Sequence, residues 1–229
     1  MTVSGAAALA VKLCGIVRAE DAAAAGRLGA DYLGAIFAGG PRLVAPQVVR
    51  ANVAAARQAA STRAPLAVGV MGTQAPDAIA RLAEEATLDA VQLHADPDAE
   101  AVAAVRRAFG GEVWGVLRIA GTEVPHQAAA LFDAADAVVL DAKVDWTPFG
   151  GTGVTLAWEA LAESLAPYRG RARLVLAGGL RPENVADAVR ALRPDVVDVS
   201  SGVERAPGVK DPDRMAAFLA AARSATSSR

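Results

Sequence analysis

Cysteine and histidine are scarce in these 229 residues: there is one cysteine, Cys14, and two histidines, His94 and His126. A single cysteine rules out an intrachain disulfide and fits a reducing compartment. With so few histidines and no His/Asp/Glu cluster at ligand spacing, no bound metal is expected. An excess of either charge is also lacking. The 23 Lys+Arg against 25 Asp+Glu leave a net charge of −2, so no nucleic-acid partner and no anionic membrane surface is expected. No apolar run approaches the ~18 residues that would span a bilayer. Residues 1–10 lack the basic start and apolar core of a signal peptide, so a cytoplasmic location is expected. A dinucleotide fingerprint is missing as well, because Gly150-Gly151-Thr152-Gly153 does not directly follow an apolar strand. No cofactor is therefore expected.

What the chain does have is apolar content, 53% of its residues, enough for a sizeable core. Eight short apolar runs stand at 11–15, 32–37, 66–71, 90–94, 113–119, 137–141, 174–178 and 196–200. Between them lie alanine-rich segments with helical spacing, such as 102–109 and 185–192. Continuous apolar strands alternating with helices describe a parallel sheet covered by helices, and eight such units are the number that closes a barrel. The expected fold is α/β: a single (β/α)8 TIM barrel of eight parallel strands. One domain would span 1–229, with the barrel proper at about 11–223 and frayed tails. An open doubly wound sheet is the structural competitor. Acids in a first turn mark helix starts at Arg18-Ala19-Glu20-Asp21 and Arg181-Pro182-Glu183-Asn184, the second with proline. Gly15-x-x-Arg18-x-Glu20 is echoed by Gly178-x-x-Arg181-x-Glu183, either a weak repeat or one solution used twice.

In such a barrel the strand C-termini share one face, and that face carries the active site. The residues at those ends are Cys14, Phe37, Met71, His94, Arg118, Asp141, Gly178 and Ser200. Five of the eight are polar or ionisable, which apolar strands do not favour by chance and which points to an enzyme. Strand alternation puts Lys12 and Cys14 on one face of the first strand, and Asp198 and Ser200 on one face of the last. Closure makes those strands neighbours, so Lys12 and Asp198 are expected to pair inside the barrel, one layer below the site; a lone buried lysine would be costly.

Ala177-Gly178-Gly179-Leu180 and Ser200-Ser201-Gly202 follow the seventh and eighth strands, where barrels of this kind hold phosphate on backbone N–H groups and a helix start. The long connection 142–155 is a candidate lid or a tolerated insertion. Three strand-end residues keep two readings each at this point. Cys14 is an inert core thiol or a functional one. Asp141 is a loop cap or a catalytic acid, and His94 caps its strand or faces a ligand.

The ordered set Lys12-Leu13-Cys14-Gly15, Pro41-Arg42-Leu43-Val44, Val91-Gln92-Leu93-His94, Leu140-Asp141, Gly150-Gly151-Thr152-Gly153, Leu176-Ala177-Gly178-Gly179-Leu180 and Val197-Asp198-Val199-Ser200-Ser201-Gly202-Val203-Glu204, followed by Gly208-x-Lys210-Asp211, resembles the phosphoribosylanthranilate isomerases of tryptophan biosynthesis. The motifs keep family order from about Lys12 to Phe218 and match more loosely at 37–40, at Ala95 and over 142–149. The resemblance implies an Amadori rearrangement of N-(5-phosphoribosyl)anthranilate to 1-(2-carboxyphenylamino)-1-deoxyribulose 5-phosphate. It implies Asp141 as general acid, Cys14 as general base and Arg42 on the anthranilate carboxylate. It further implies His94, Gly151 and Gly153 at the substrate, and Gly178, Gly179, Ser200, Ser201 and Gly202 at the phosphate. The partner would be a small phosphorylated molecule, and the chain a monomer or homodimer.

Those roles ask for a carboxyl pKa raised from about 4 and a thiol pKa lowered from about 8.5. Burial at the barrel mouth would do the first; a helix N-terminus or a cation such as Arg118 would do the second. An indole-glycerol-phosphate synthase would need lysine and glutamate at several strand ends, and a metal-dependent epimerase several histidines. A non-catalytic phosphate binder would need neither Cys14 nor Asp141.

Overall fold

The computed structural model describes residues 8–119, 121–142 and 153–226, with backbone alone at 142 and 153–157. Eight strands, β1 (Ala10–Cys14), β2 (Tyr32–Ile36), β3 (Leu66–Met71), β4 (Ala90–Leu93), β5 (Glu112–Ile119), β6 (Ala137–Ala142), β7 (Arg173–Ala177) and β8 (Val196–Val199), pair in sequence order. β8 returns to β1, so the sheet is a closed parallel barrel and not an open one. The helices α1 (Ala19–Arg27), α2 (Pro46–Ala59), α3 (Pro76–Ala86), α4 (Ala99–Ala108), α5 (Ala128–Ala134), α6 (Gly153–Leu165), α7 (Val185–Leu192) and α8 (Pro212–Ser224) alternate with them. A short antiparallel pair, β9 (Glu204–Ala206) and β10 (Val209–Lys210), lies between β8 and α8. Among the described residues no helix is long and apolar enough to cross a membrane.

Alternation along the strands separates two cores. Val11, Leu13, Leu33, Val91 and Leu140 face outward into the layer against the helices. Tyr32, Val68, Ala90, Trp114, Val139, Val175 and Val196 form a second cluster that fills the barrel interior. β-branched and bulky side chains fill such an interior, so it is a packed core and not a pore. Its N-terminal end is closed by polar groups: Arg173 donates to Tyr32 Oη (2.6 Å) and to Glu112, which also accepts from Trp114 Nε1 (2.9 Å). The register sets Lys12 opposite Asp198, and Lys12 Nζ lies 2.7 Å from Asp198 Oδ2. The expected internal pair is thus present, and with it the closure that the expectation required.

Boundaries differ from the sequence reading in ways that have local causes. β1 and β7 stop at Cys14 and Ala177 because Gly15 (φ 72°) and Gly178 (φ 92°) already turn into the left-handed region that glycine enters without strain. α4 starts three residues earlier than its apolar periodicity, at Ala99, because the Asp98 carboxylate accepts from the Ala101 amide (2.8 Å) and caps the first turn. Arg181-Pro182-Glu183-Asn184 is not a helix start. It is a turn closed by Asn184 Oδ1 on the Arg181 amide (2.9 Å), and α7 begins only at Val185. The connection after β6 is shorter than read, since α6 already begins at Gly153. Its residues 143–152, Gly151 among them, lie outside the described residues.

Candidate active site

A cavity of about 540 Å³ sits at the C-terminal end of the barrel. Cys14, His94, Asp141, Gly178, Gly179, Ser200, Ser201 and Gly202 all line it. Five different strand ends therefore meet there, and four of the five ionisable or polar strand-end residues share one space. Arg118 is the exception. It stands opposite Asp141 in register, but its guanidinium turns out of the cavity to pair with Asp96 and to donate to the His94 carbonyl (2.9 Å).

Cys14 is 7% exposed and faces inward from the last position of β1. Its space is made by Gly34, its register partner on β2: a Cβ there would stand 2.6 Å from Cys14 Sγ and 2.9 Å from its Cα. Gly34→Ala must push the thiol or the strand aside. Displacements of that size cost about a hundredfold in turnover when a reacting group is moved. Steady-state kinetics alongside a melting curve would check this, and a folded Gly34→Ala variant with normal turnover would contradict it.

Below Cys14 lies a buried polar layer. Lys12, fully buried, donates to Gln92 Oε1 (3.0 Å) as well as to Asp198. Gln92 and Asp198 both reach the cavity wall. Asp198 Oδ1, Ser200 Oγ and His94 Nδ1 are buried with no protein partner. Buried polar atoms left unsatisfied carry a cost, and three of them around one cavity mark where polar groups of a ligand belong.

The ionisation pattern differs in two respects from the sequence reading. Burial pushes the Cys14 thiol above its ordinary pKa, where a lowered one was expected, and the charge that opposes this most strongly is Lys12, not Arg118. Burial also works against the charge on Lys12, but Asp198 and Cys14 outweigh it and hold the ammonium above its usual value. Burial and then the nearby Arg118 lower the His94 pKa, so its ring is neutral at pH 7.

Two loops close one side of the cavity. Gly202 packs against the loop after β7 so tightly that a Cβ would stand 1.9 Å from the Leu180 carbonyl oxygen. Asn184 Nδ2 donates to the Gly179 carbonyl (3.1 Å) and steadies that loop further. Gly178–Gly179 and Ser200–Gly202 are in this way held as one glycine–serine cradle. The α7 start stands back from it by the turn at 182–184, and β8 leads into a single 3-10 turn, Ser201–Val203.

Arg42 lies at the rim and not in the wall of the cavity. Its stem packs over Gly15, where a Cβ would stand 2.6 Å from Arg42 Cδ. Its Nε and Nη2 donate to Glu204 Oε1 (2.8 Å) and Oε2 (2.6 Å). Glu204 also accepts from Lys210 Nζ (2.8 Å), which donates in addition to the Ser200 carbonyl (3.0 Å). Burial pushes the Glu204 carboxyl up, but its hydrogen bonds from Arg42 and Lys210 prevail and hold it below the usual range. The bidentate pair ties the loop after β2 to the segment after β8.

A family model described as N-(5'phosphoribosyl)anthranilate (PRA) isomerase matches residues 11–221. The chain belongs to this isomerase family. It is 42% identical over 221 residues to the N-(5'-phosphoribosyl)anthranilate isomerase of Rhodospirillum centenum, covering 93% of this chain and 97% of that one. It is 40% identical over 219 residues to that of Myxococcus xanthus, covering 93% and 96%. A crystal structure of phosphoribosyl anthranilate isomerase in complex with reduced 1-(o-carboxyphenylamino)-1-deoxyribulose 5-phosphate superposes with a TM-score of 0.74 at 30% identity, covering 94% of this chain and 99% of that one.

Among the residues anticipated from the isomerase motifs, Cys14, Asp141, His94 and the five glycine and serine residues share the cavity. Arg42 stands at its rim, Gly153 opens α6, and Gly151 falls outside the described residues. Gln92 and Gly34 were not anticipated. Gln92 was readable as the polar residue that alternates with His94 along an apolar strand. Gly34 carried no such signal, because its importance lies in what stands across from it.

Proposed function

We propose that the chain isomerises N-(5-phosphoribosyl)anthranilate to 1-(2-carboxyphenylamino)-1-deoxyribulose 5-phosphate, an aldose–ketose rearrangement in tryptophan biosynthesis, by general acid–base catalysis. The observation that carries this reading is that Cys14 and Asp141, from β1 and β6, line one cavity beside the glycine–serine cradle. An inert core thiol and a loop cap would have no reason to meet there, and a phosphate binder would need neither.

In this reading Asp141 protonates the furanose ring oxygen as the C1–O bond breaks, which leaves a protonated Schiff base between C1 and the anthranilate nitrogen. The Cys14 thiolate then takes the proton from C2. The electron pair moves into a C1–C2 double bond and neutralises the nitrogen, giving an enolamine. Ketonisation places a proton on C1 and removes the hydroxyl proton at C2. The backbone amides and hydroxyls of Gly178, Gly179, Ser200, Ser201 and Gly202 hold the phosphate, and neutral His94 offers a hydrogen-bonding edge without a charge. Gly151 and Gly153 border the substrate. No cofactor or metal takes part in this scheme, since each step moves only protons and electron pairs. The enzyme works in the cytoplasm as a monomer or homodimer and engages no nucleic acid.

Arg42 holds the anthranilate carboxylate. Glu204 takes one edge of the guanidinium and fixes its plane, and a fork of five donors has others to offer. Loss of the fluorescence of phosphoribosylanthranilate is the direct test of the activity; no catalysed loss with wild-type protein would end the reading. Arg42→Ala is expected to raise KM by about ten- to a hundredfold, the scale of a hydrogen bond to a charged group, with a smaller change in kcat. Unchanged substrate affinity would remove Arg42 from the carboxylate.

A further inference from the structure

The barrel interior is the least hospitable place in the molecule for an ammonium group, yet Lys12 stands there fully buried, two positions before Cys14 and on the same face of β1. An ammonium has three N–H donors. Gln92 Oε1 and Asp198 Oδ2 take two of them, and no further oxygen acceptor of Lys12 occurs among the described residues. The other cations around the thiol stand on other elements and have partners of their own. Arg42 is paired bidentately with Glu204, and Lys210 donates to Glu204 and to the Ser200 carbonyl. Lys12 alone combines full burial, a donor to spare and the same strand face as the sulfur.

We propose that Lys12 is a positioning residue for the reaction: gripped from below by Gln92 and Asp198, it directs its remaining N–H at Cys14 and holds the thiolate that acts as the base. The proposal rests on the reading of Cys14 as that base. A purely structural Lys12–Asp198 pair would account for the ion pair but not for the third donor, nor for placing a cation under the one cysteine of the chain. Gln92 gains a role as well. It is a neutral acceptor that orients the ammonium without cancelling its charge, as a second carboxylate would.

The charged groups that act on Cys14 are Lys12 on its own strand, Asp198 on β8, Lys210 on β10 and Arg42 in the loop after β2. Burial raises the thiol pKa; Lys12 opposes this more strongly than any other charge, Asp198 adds to it and Lys210 opposes it. Two substitutions in one ion pair are therefore expected to move the thiol in opposite directions. A role limited to holding the barrel together predicts no such opposition, since loss of either partner would simply loosen the fold.

Cys14 is the only cysteine, so alkylation of the full chain by iodoacetamide reports this thiol alone and needs no substrate. The midpoint of alkylation rate against pH is to be measured between about pH 6 and 10, around the ordinary thiol pKa. Lys12→Met is expected to raise the midpoint by about one unit, a tenfold loss of thiolate at fixed pH. Asp198→Asn is expected to lower it. A Lys12→Met midpoint that stays put or falls would overturn the proposal. Should Lys12→Met not fold, Asp198→Asn decides alone, and a midpoint unchanged or raised in that variant would overturn it equally. Because alkylation does not depend on turnover, failure here is distinguishable from failure of the reading of Cys14 as the base, which a fully active Cys14→Ser enzyme would show.

Discussion

Asp141→Asn is expected to lower turnover of phosphoribosylanthranilate by at least about two orders of magnitude, the scale of a lost general acid. The substitution keeps the shape of the side chain and removes the proton that the ring oxygen has to receive. Asp141 sits near the end of β6, between Arg118 and Ala177 in register, half-buried and on the cavity wall. It is not part of either hydrophobic cluster, so the melting temperature should hardly move. The fluorescence decay of the substrate with matched amounts of folded protein gives the comparison. Near-normal decay would remove Asp141 from the mechanism and leave it as a cap for the loop that follows.

Cys14→Ser should be as damaging, again by about a hundredfold or more, because a hydroxyl in the same place is far too weak an acid to supply an anion at neutral pH. The substitution is nearly isosteric, and Gly34 leaves room for the side chain in either case. The dependence on pH has a definite sign. Burial raises the thiol pKa, so the anionic base is the minority form near neutrality and its share grows as pH rises. The limb of the wild-type profile that belongs to Cys14 therefore ascends toward alkaline pH, and in Cys14→Ser that limb disappears. A serine variant that keeps both the rate and the ascending limb would assign the base elsewhere.

The two predictions concern residues that alternation along apolar strands picks out directly. A strand that runs Val11-Lys12-Leu13-Cys14 must send lysine and cysteine to the same side, and one that runs Val197-Asp198-Val199-Ser200 must do the same with its acid and hydroxyl. Once eight parallel units close, as the β8–β1 pairing shows they do, the meeting of Lys12 with Asp198 follows. Arg118 shows the limit of this logic. It occupies an inward register position like Asp141, but a long side chain at a strand end can bend back to the rim, where Asp96 and the His94 carbonyl hold it. Periodicity specifies where the Cα–Cβ bond points, not where a flexible cation ends.

Helix boundaries make a similar point. The periodic stretch at 185–192 is α7 as it stands, because its apolar face has only one way to cover the barrel. The acids and proline before it look like a first turn in sequence, but the Asn184 side chain closes a tighter turn instead, and a hydrogen bond between neighbours overrides a propensity.

Composition and order alone determined the α/β class, the number of barrel strands and the face on which polar strand-end residues gather, because alternation and burial are local rules written into each strand; the roles read for Cys14 and Asp141 came from the resemblance to the isomerases. Only the tertiary structure decided that Lys12 and not Arg118 is the cation acting most strongly on Cys14, that Gly34 makes the space beside the thiol, that Gly202 locks two loops into one cradle, and that Arg42 is held by Glu204. Each of these depends on distances between residues far apart in the chain, and such distances are set by how the barrel closes and packs, not by any pattern along it.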